Sequence, residues 1–141
     1  MPEPTEHAGR QARPVLEIDL EHSAQAPALA RAAINGFCQD RDFSPSTIAT
    51  LTLLVSEVVT NAVVHPPVQE RTTINVRARI EDDAVHIEVR DAGPRFTPRP
   101  RDPEHLDGGY GLYLVEKEAV RWGLGSGPTT TVWFEVASRA P

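Results

Sequence analysis

Residues 47–65 contain neither glycine nor proline, in a chain that carries 13 prolines and 9 glycines among its 141 residues. So long an unbroken stretch constrains the fold more than any other feature, because it reads as a helix of about five turns. Ser44 can cap its start and Pro45 suits the first helical position, where a missing N–H costs nothing. Ile48, Leu51, Val55, Val58 and Ala62 recur at helical spacing and share one face. Pro66-Pro67 stops the run. Glu57 and Asn61 are four residues apart, on a stripe beside the apolar one. An edge position of that kind keeps a side chain at the rim of the core while it faces a cleft. His65, four residues on, reads as a helix-end residue favoured by the macrodipole.

The remaining segments supply partners for that helix. Val15-Leu16-Glu17-Ile18-Asp19-Leu20 alternates as a half-buried strand does, and 23–39, with Pro27 near its start, reads as a helix. Two strands, 72–80 and 84–91, are joined by the acidic turn Glu81-Asp82-Asp83. Val85, Ile87 and Val89 alternate there with His86, Glu88 and Arg90, which predicts one packed face and one wet face. A third, apolar helix is expected over 112–122 and a closing strand over 129–136. Strands and helices segregate, so an α+β sandwich is expected rather than an alternating parallel sheet. Residues 1–13, rich in Pro, Glu and Gly, read as a disordered tail ahead of a domain spanning 14–138. Within it, 92–108 carries Pro94, Pro98, Pro100 and Pro103 with Arg95, Arg99 and Arg101, and no periodicity. Connections of that length inside a domain are often lids or binding loops.

Composition narrows the function classes. The length suits one domain, and 40% hydrophobic residues suffice for a core. No apolar run is expected to reach the roughly 20 residues that span a bilayer, and the acidic, polar N-terminus is unlike a signal peptide. A cytoplasmic location follows as the expectation, with no membrane partner. The single cysteine, Cys38, sits among Ile34, Phe37 and Phe43 and reads as a small buried hydrophobe in a reducing compartment. A net charge of −6 without a long Lys/Arg run argues against a nucleic-acid partner, while a basic protein partner fits. Five scattered histidines and one cysteine lack zinc-ligand spacing.

Two further features bear on chemistry. Asp91 ends a strand and is followed by Ala92-Gly93; a carboxylate there can accept a hydrogen bond from the amino group of a flat ligand. It also reads as an ordinary turn-initiating aspartate. Gly109-Tyr110-Gly111 opens a helix, where bare backbone N–H groups can approach phosphate oxygens, or where the glycines simply give a flexible helix start.

Ser56-Glu57-Val58-Val59-Thr60-Asn61-Ala62, then Val89-Arg90-Asp91-Ala92-Gly93, then Gly109-Tyr110-Gly111-Leu112-Tyr113-Leu114-Val115, with Thr131-Val132-Trp133-Phe134 near the end, together resemble the GHKL ATPases. That superfamily includes gyrase, a heat-shock chaperone, MutL and the histidine kinases. Within it the chain is similar to the short bacterial anti-sigma factors that are serine-protein kinases, over about residues 15–136. The resemblance implies a Bergerat-type ATP-binding fold: a single-domain, two-layer α/β sandwich with a mixed, mostly antiparallel sheet and helices on one face. It implies Glu57 as general base, Asn61 as a Mg²⁺ ligand in the ATP site, and Asp91 on the adenine amino group. Gly93 would admit the ring, Gly109, Gly111 and Leu112 would line the phosphate end, and Thr131 would complete the adenine end.

The family's usual Asp-x-Gly-x-Gly is here Asp91-Ala92-Gly93-Pro94-Arg95. Proline fixes φ and removes a donor, so either Arg95 neutralises phosphate or nucleotide binding is weaker than the family norm. The implied partners are a sigma factor and an anti-sigma antagonist whose serine is the substrate, with a homodimer as the assembly to expect if there is one. A non-catalytic nucleotide-binding switch is the alternative. A histidine kinase acting in trans would call for a phosphoacceptor histidine in a dimerisation helix. Among His7, His22, His65, His86 and His105 only His65 has a helical context, and it is followed by Pro66 rather than an acidic residue.

Overall fold

The computed structural model describes residues 15–39, 41–64, 73–91, 110–125 and 129–138. Five strands, β1 (Leu16–Glu21), β2 (Thr73–Glu81), β3 (Ala84–Asp91), β4 (Arg121–Leu124) and β5 (Thr130–Ala137), form one sheet in the order β1-β2-β3-β5-β4. All four pairings are antiparallel, so among the described residues the expected mixed sheet has no parallel pair. Three helices, α1 (Ala26–Gln39), α2 (Pro45–Val64) and α3 (Tyr110–Glu118), complete the α+β sandwich.

Strand alternation decides which face carries the core. Ile74, Val76 and Ala78 of β2, Val85, Ile87 and Val89 of β3, and Val132, Phe134 and Val136 of β5 are buried in one cluster. Leu51, Leu54, Val55, Val58, Val59 and Ala62 of α2 and Ala26, Ala30, Ile34 and Phe37 of α1 join it from the helical layer. Cys38 is buried in that cluster too, and burial pushes its thiol up, with Arg41 opposing. An inert, space-filling cysteine is the result.

The start of α2 is fixed as the sequence predicts. Ser44 Oγ accepts the backbone N–H of Thr47 at 3.1 Å, a capping geometry in which a side chain satisfies one orphan donor of the first turn. Thr47 Oγ1 in turn donates to the carbonyl of Ala137 at 3.0 Å, tying the helix start to the end of β5. One expectation on this helix is overturned. Pro45–Val63 has a mean hydropathy of 1.4 and is long and apolar enough to cross a membrane by length and composition. Half of it is buried inside the domain, because a helix flanked by α1 and α3 and packed on β3 and β5 must be apolar over more than one stripe.

A second correction concerns 112–122. The helix stops at Glu118, and Trp122 belongs instead to β4, a four-residue edge strand. Gly123 interrupts its apolar pattern, and a glycine inside a short run reads as a break. Here it has a packing reason: a Cβ at Gly123 would lie 2.9 Å from the Trp133 ring. The β2–β3 hairpin turns through Asp82, whose φ of 52° is a conformation that aspartate tolerates better than most residues. The expected tail at 1–13, the end of the long helix beyond Val64, and the expected lid at 92–108 lie outside the described residues.

Candidate functional site

α2 and the ends of β3 and β5 meet at a recess lined by Val58, Asn61, Ala62, Val89, Asp91, Thr130 and Val132. Its walls are mostly aliphatic and its polar groups are few, which is the composition of a site for a flat, partly apolar ligand. The sequence expectation that Asn61 and Asp91 share a cleft is therefore met in geometry. Asn61 is 5% exposed and Asp91 5% exposed, so both polar groups work in a desolvated setting where hydrogen bonds count for more.

The two differ in how they are satisfied. Asp91 Oδ1 lies 3.1 Å from His22 Nε2. Asn61 Oδ1 is buried and has no hydrogen-bond partner among the described residues. An orphaned amide oxygen costs about 1–3 kcal/mol unless something outside the chain matches it. Its hard oxygen suits a cation such as Mg²⁺, so the residue present fits the expected metal. Glu57, one turn before Asn61 on α2, is half-buried at the edge of the helix, where its carboxylate can meet a ligand without entering the core.

Gly111 sits in the first turn of α3, whose unpaired N–H groups and positive dipole end favour anions. Leu112 is fully buried in the core cluster. Its side chain anchors the helix in the core, so it is not free to line a ligand site. Gly93, Arg95 and Gly109 lie outside the described residues.

Thr131 is displaced from its expected place. Thr130, not Thr131, is the register partner of Asp91, whereas Thr131 pairs with Arg90. Side chains alternate along a strand, so Thr131 lies on the far face of the sheet and Thr130 lines the recess. The signal was present in the sequence: Val132, Phe134 and Val136 mark the core face of β5, and parity extends it to Thr130. His22 was also missed, and nothing near it in sequence announces a contact 69 residues away.

The far face carries its own ordered group. Arg79, His86, Glu135 and Arg121 are successive register partners across four strands. Glu135 Oε2 accepts from His86 Nδ1 at 2.9 Å, and its Oε1 accepts from Arg121 at 2.6 Å and 3.0 Å. The His86 ring stacks on Trp133, with centroids 5.4 Å apart. Ligand atoms of Glu81, His86 and Glu135 come within 4.8 Å of one another, a spacing compatible with a metal. Both carboxylates already have arginines, Arg121 on Glu135 and Arg79 on Glu81. The group is thus a cross-strand charge ladder that needs no cation.

The family described as the histidine kinase-like ATPase domain matches residues 20–133. A serine-protein kinase RsbW of Bacillus licheniformis is 28% identical over 139 residues, covering 87% of this chain and 86% of its own. An anti-sigma F factor of Geobacillus stearothermophilus is 29% identical over 112 residues, covering 77% of this chain and 73% of its own. Among solved structures, the RsbU and RsbW domains of a Mycobacterium tuberculosis protein align with a TM-score of 0.68 at 24% identity, over 86% of this chain and 32% of that one. At that identity the likeness concerns the fold.

Proposed function

Because the chain belongs to the histidine kinase-like ATPase domain family, we propose that it is an ATP-dependent serine-protein kinase of the anti-sigma type. In this reading it phosphorylates a serine on an antagonist protein in the cytoplasm, and holds a sigma factor until that antagonist displaces it. Relatives bearing the names serine-protein kinase and anti-sigma F factor support the assignment. The net charge of −6 suits a basic partner.

The observation that carries the reading is the orphaned Oδ1 of Asn61 in a recess shared with Asp91. Asn61 would hold Mg²⁺, which when bound neutralises phosphate charge. Asp91 accepts the adenine amino group, with Thr130 beside it, and the first turn of α3 receives phosphate oxygens. Gly93, Gly109 and Arg95 keep the roles their motif positions imply. Glu57 accepts the proton of the attacking serine hydroxyl as its oxygen bonds to the γ-phosphorus and ADP leaves with the bridging oxygen. Such transfer needs positioning and charge stabilisation more than covalent chemistry from the protein.

Calorimetric titration with Mg·ATP tests this directly. The wild type should bind, and Asn61→Ala should lose about a hundredfold or more in affinity, as expected when a charged ligand loses a buried partner. Equal binding by the two proteins would remove the metal assignment. Binding by the wild type without transfer from labelled ATP to a candidate antagonist would favour a non-catalytic switch instead.

A further inference from the structure

We propose that His22 is a positioning residue for Asp91, fixing the carboxylate that discriminates adenine from guanine. The inference rests on the nucleotide reading above and deepens it. Asp91 reads a base only if its carboxylate plane is set.

The structure supplies one such restraint from two strands away. Leu20 pairs with Ile74 and Ile74 with Asp91, so β2 stands between β1 and β3. Leu16, Ile18 and Leu20 turn toward the helical layer, and by alternation position 22 turns the same way. His22 therefore reaches past the start of β2 to place Nε2 3.1 Å from Asp91 Oδ1. The two side chains are only 12% and 7% exposed, so water competes little for the bond. A carboxylate oxygen only accepts, which makes Nε2 the protonated nitrogen and the donor. His22 is not among the residues lining the recess; it acts through Asp91.

Adenine presents an amino donor at its six position and guanine a carbonyl acceptor. A carboxylate held in one plane accepts from the first and repels the second, whereas one free to rotate loses that preference. The contribution of His22 is thus to base selectivity and not to phosphate affinity.

Full-length wild type, His22→Ala, His22→Gln and Asp91→Asn would be titrated with Mg·ATP, Mg·GTP and Mg·triphosphate, with thermal melting in parallel. For His22→Ala, ATP affinity should fall about tenfold, the scale of one hydrogen bond to a charged group, with triphosphate affinity unchanged. Asp91→Asn should move the ATP/GTP ratio in the same direction, and His22→Gln, which keeps a donor, should restore most of it. An unchanged ATP/GTP ratio in His22→Ala overturns the proposal while leaving the nucleotide site standing. So does an equal loss for ATP and triphosphate that tracks a lowered melting temperature and is not rescued by His22→Gln. A wild type that binds no adenine nucleotide overturns the site itself, and this proposal with it.

Discussion

Asp91 and Thr130 face each other across the β3–β5 pairing, and both are buried at the mouth of the recess that Asn61 enters from α2. One residue further along β5, Thr131 turns to the opposite face. There its side chain meets Gly125, whose Cβ, if it had one, would lie 2.9 Å from that of Thr131. Two adjacent threonines thus have unlike duties, one at the site and one packing the edge of the sheet.

Thr130→Val and Thr131→Val separate those duties. Valine keeps the shape of threonine and removes the hydroxyl. Thr130→Val should weaken Mg·ATP binding about fivefold, corresponding to about 1 kcal/mol for one hydrogen bond. Thr131→Val should leave affinity alone. Calorimetry on the pair decides it; a larger loss in Thr131→Val would restore the original sequence assignment.

Glu57→Gln addresses the chemical step. Glutamine preserves the size of a half-buried side chain but cannot take a proton. Phosphoryl transfer to a serine substrate should fall by about 10²- to 10⁴-fold, the span of general-base contributions, with Mg·ATP affinity retained. Transfer at the parent rate would show that Glu57 is not the base.

The parts of this molecule that were readable in advance are those where one local rule governs. The cap at Ser44 and the apolar stripe of α2 follow from helix periodicity and capping chemistry. The wet and dry faces of β3 follow from alternation. What escaped reading depends on contacts remote in sequence. Trp122 reads as helical in sequence because the value of Gly123 to the sheet is visible only when Trp133 lies against it. The reach of His22 to Asp91 requires knowing that β1, β2 and β3 are neighbours. Thr131 is a different case: Val132, Phe134 and Val136 already mark the core side of β5, and the parity they set puts Thr130 rather than Thr131 at the recess.

The start of α2 yields a stability test. Ser44→Ala removes the acceptor for the Thr47 N–H and should cost about 1 kcal/mol. Thr47→Val removes the bond to the Ala137 carbonyl and should cost a similar amount. The two residues also bond each other, Ser44 Oγ to Thr47 Oγ1 at 2.9 Å, so the double variant should lose less than the sum. Urea midpoints of the four proteins measure this, and strict additivity would mean that the two bonds act independently.

Glu135 makes the fold sensitive to acid in a predictable direction. Burial alone pushes its carboxyl upward, but hydrogen bonds from His86 and Arg121, with the charge of Arg121, outweigh that and hold it below the usual glutamate range. A carboxyl depressed in the folded state binds its proton more tightly when unfolded, so protonation favours unfolding. Its contribution is complete above the ordinary glutamate range and is lost as the pH falls through the folded value. Arg121 is 69% exposed, so solvent and salt screen its share, and the His86 bond carries more of the effect. Glu135→Gln should therefore cost about 1–2 kcal/mol at neutral pH and flatten the acid limb of the stability profile. Because Glu135 faces away from the recess, Mg·ATP affinity should stay at the parent value. Urea unfolding of parent and variant across the acid range tests the assignment; parallel acid limbs would mean that some other carboxylate sets the acid sensitivity of the domain.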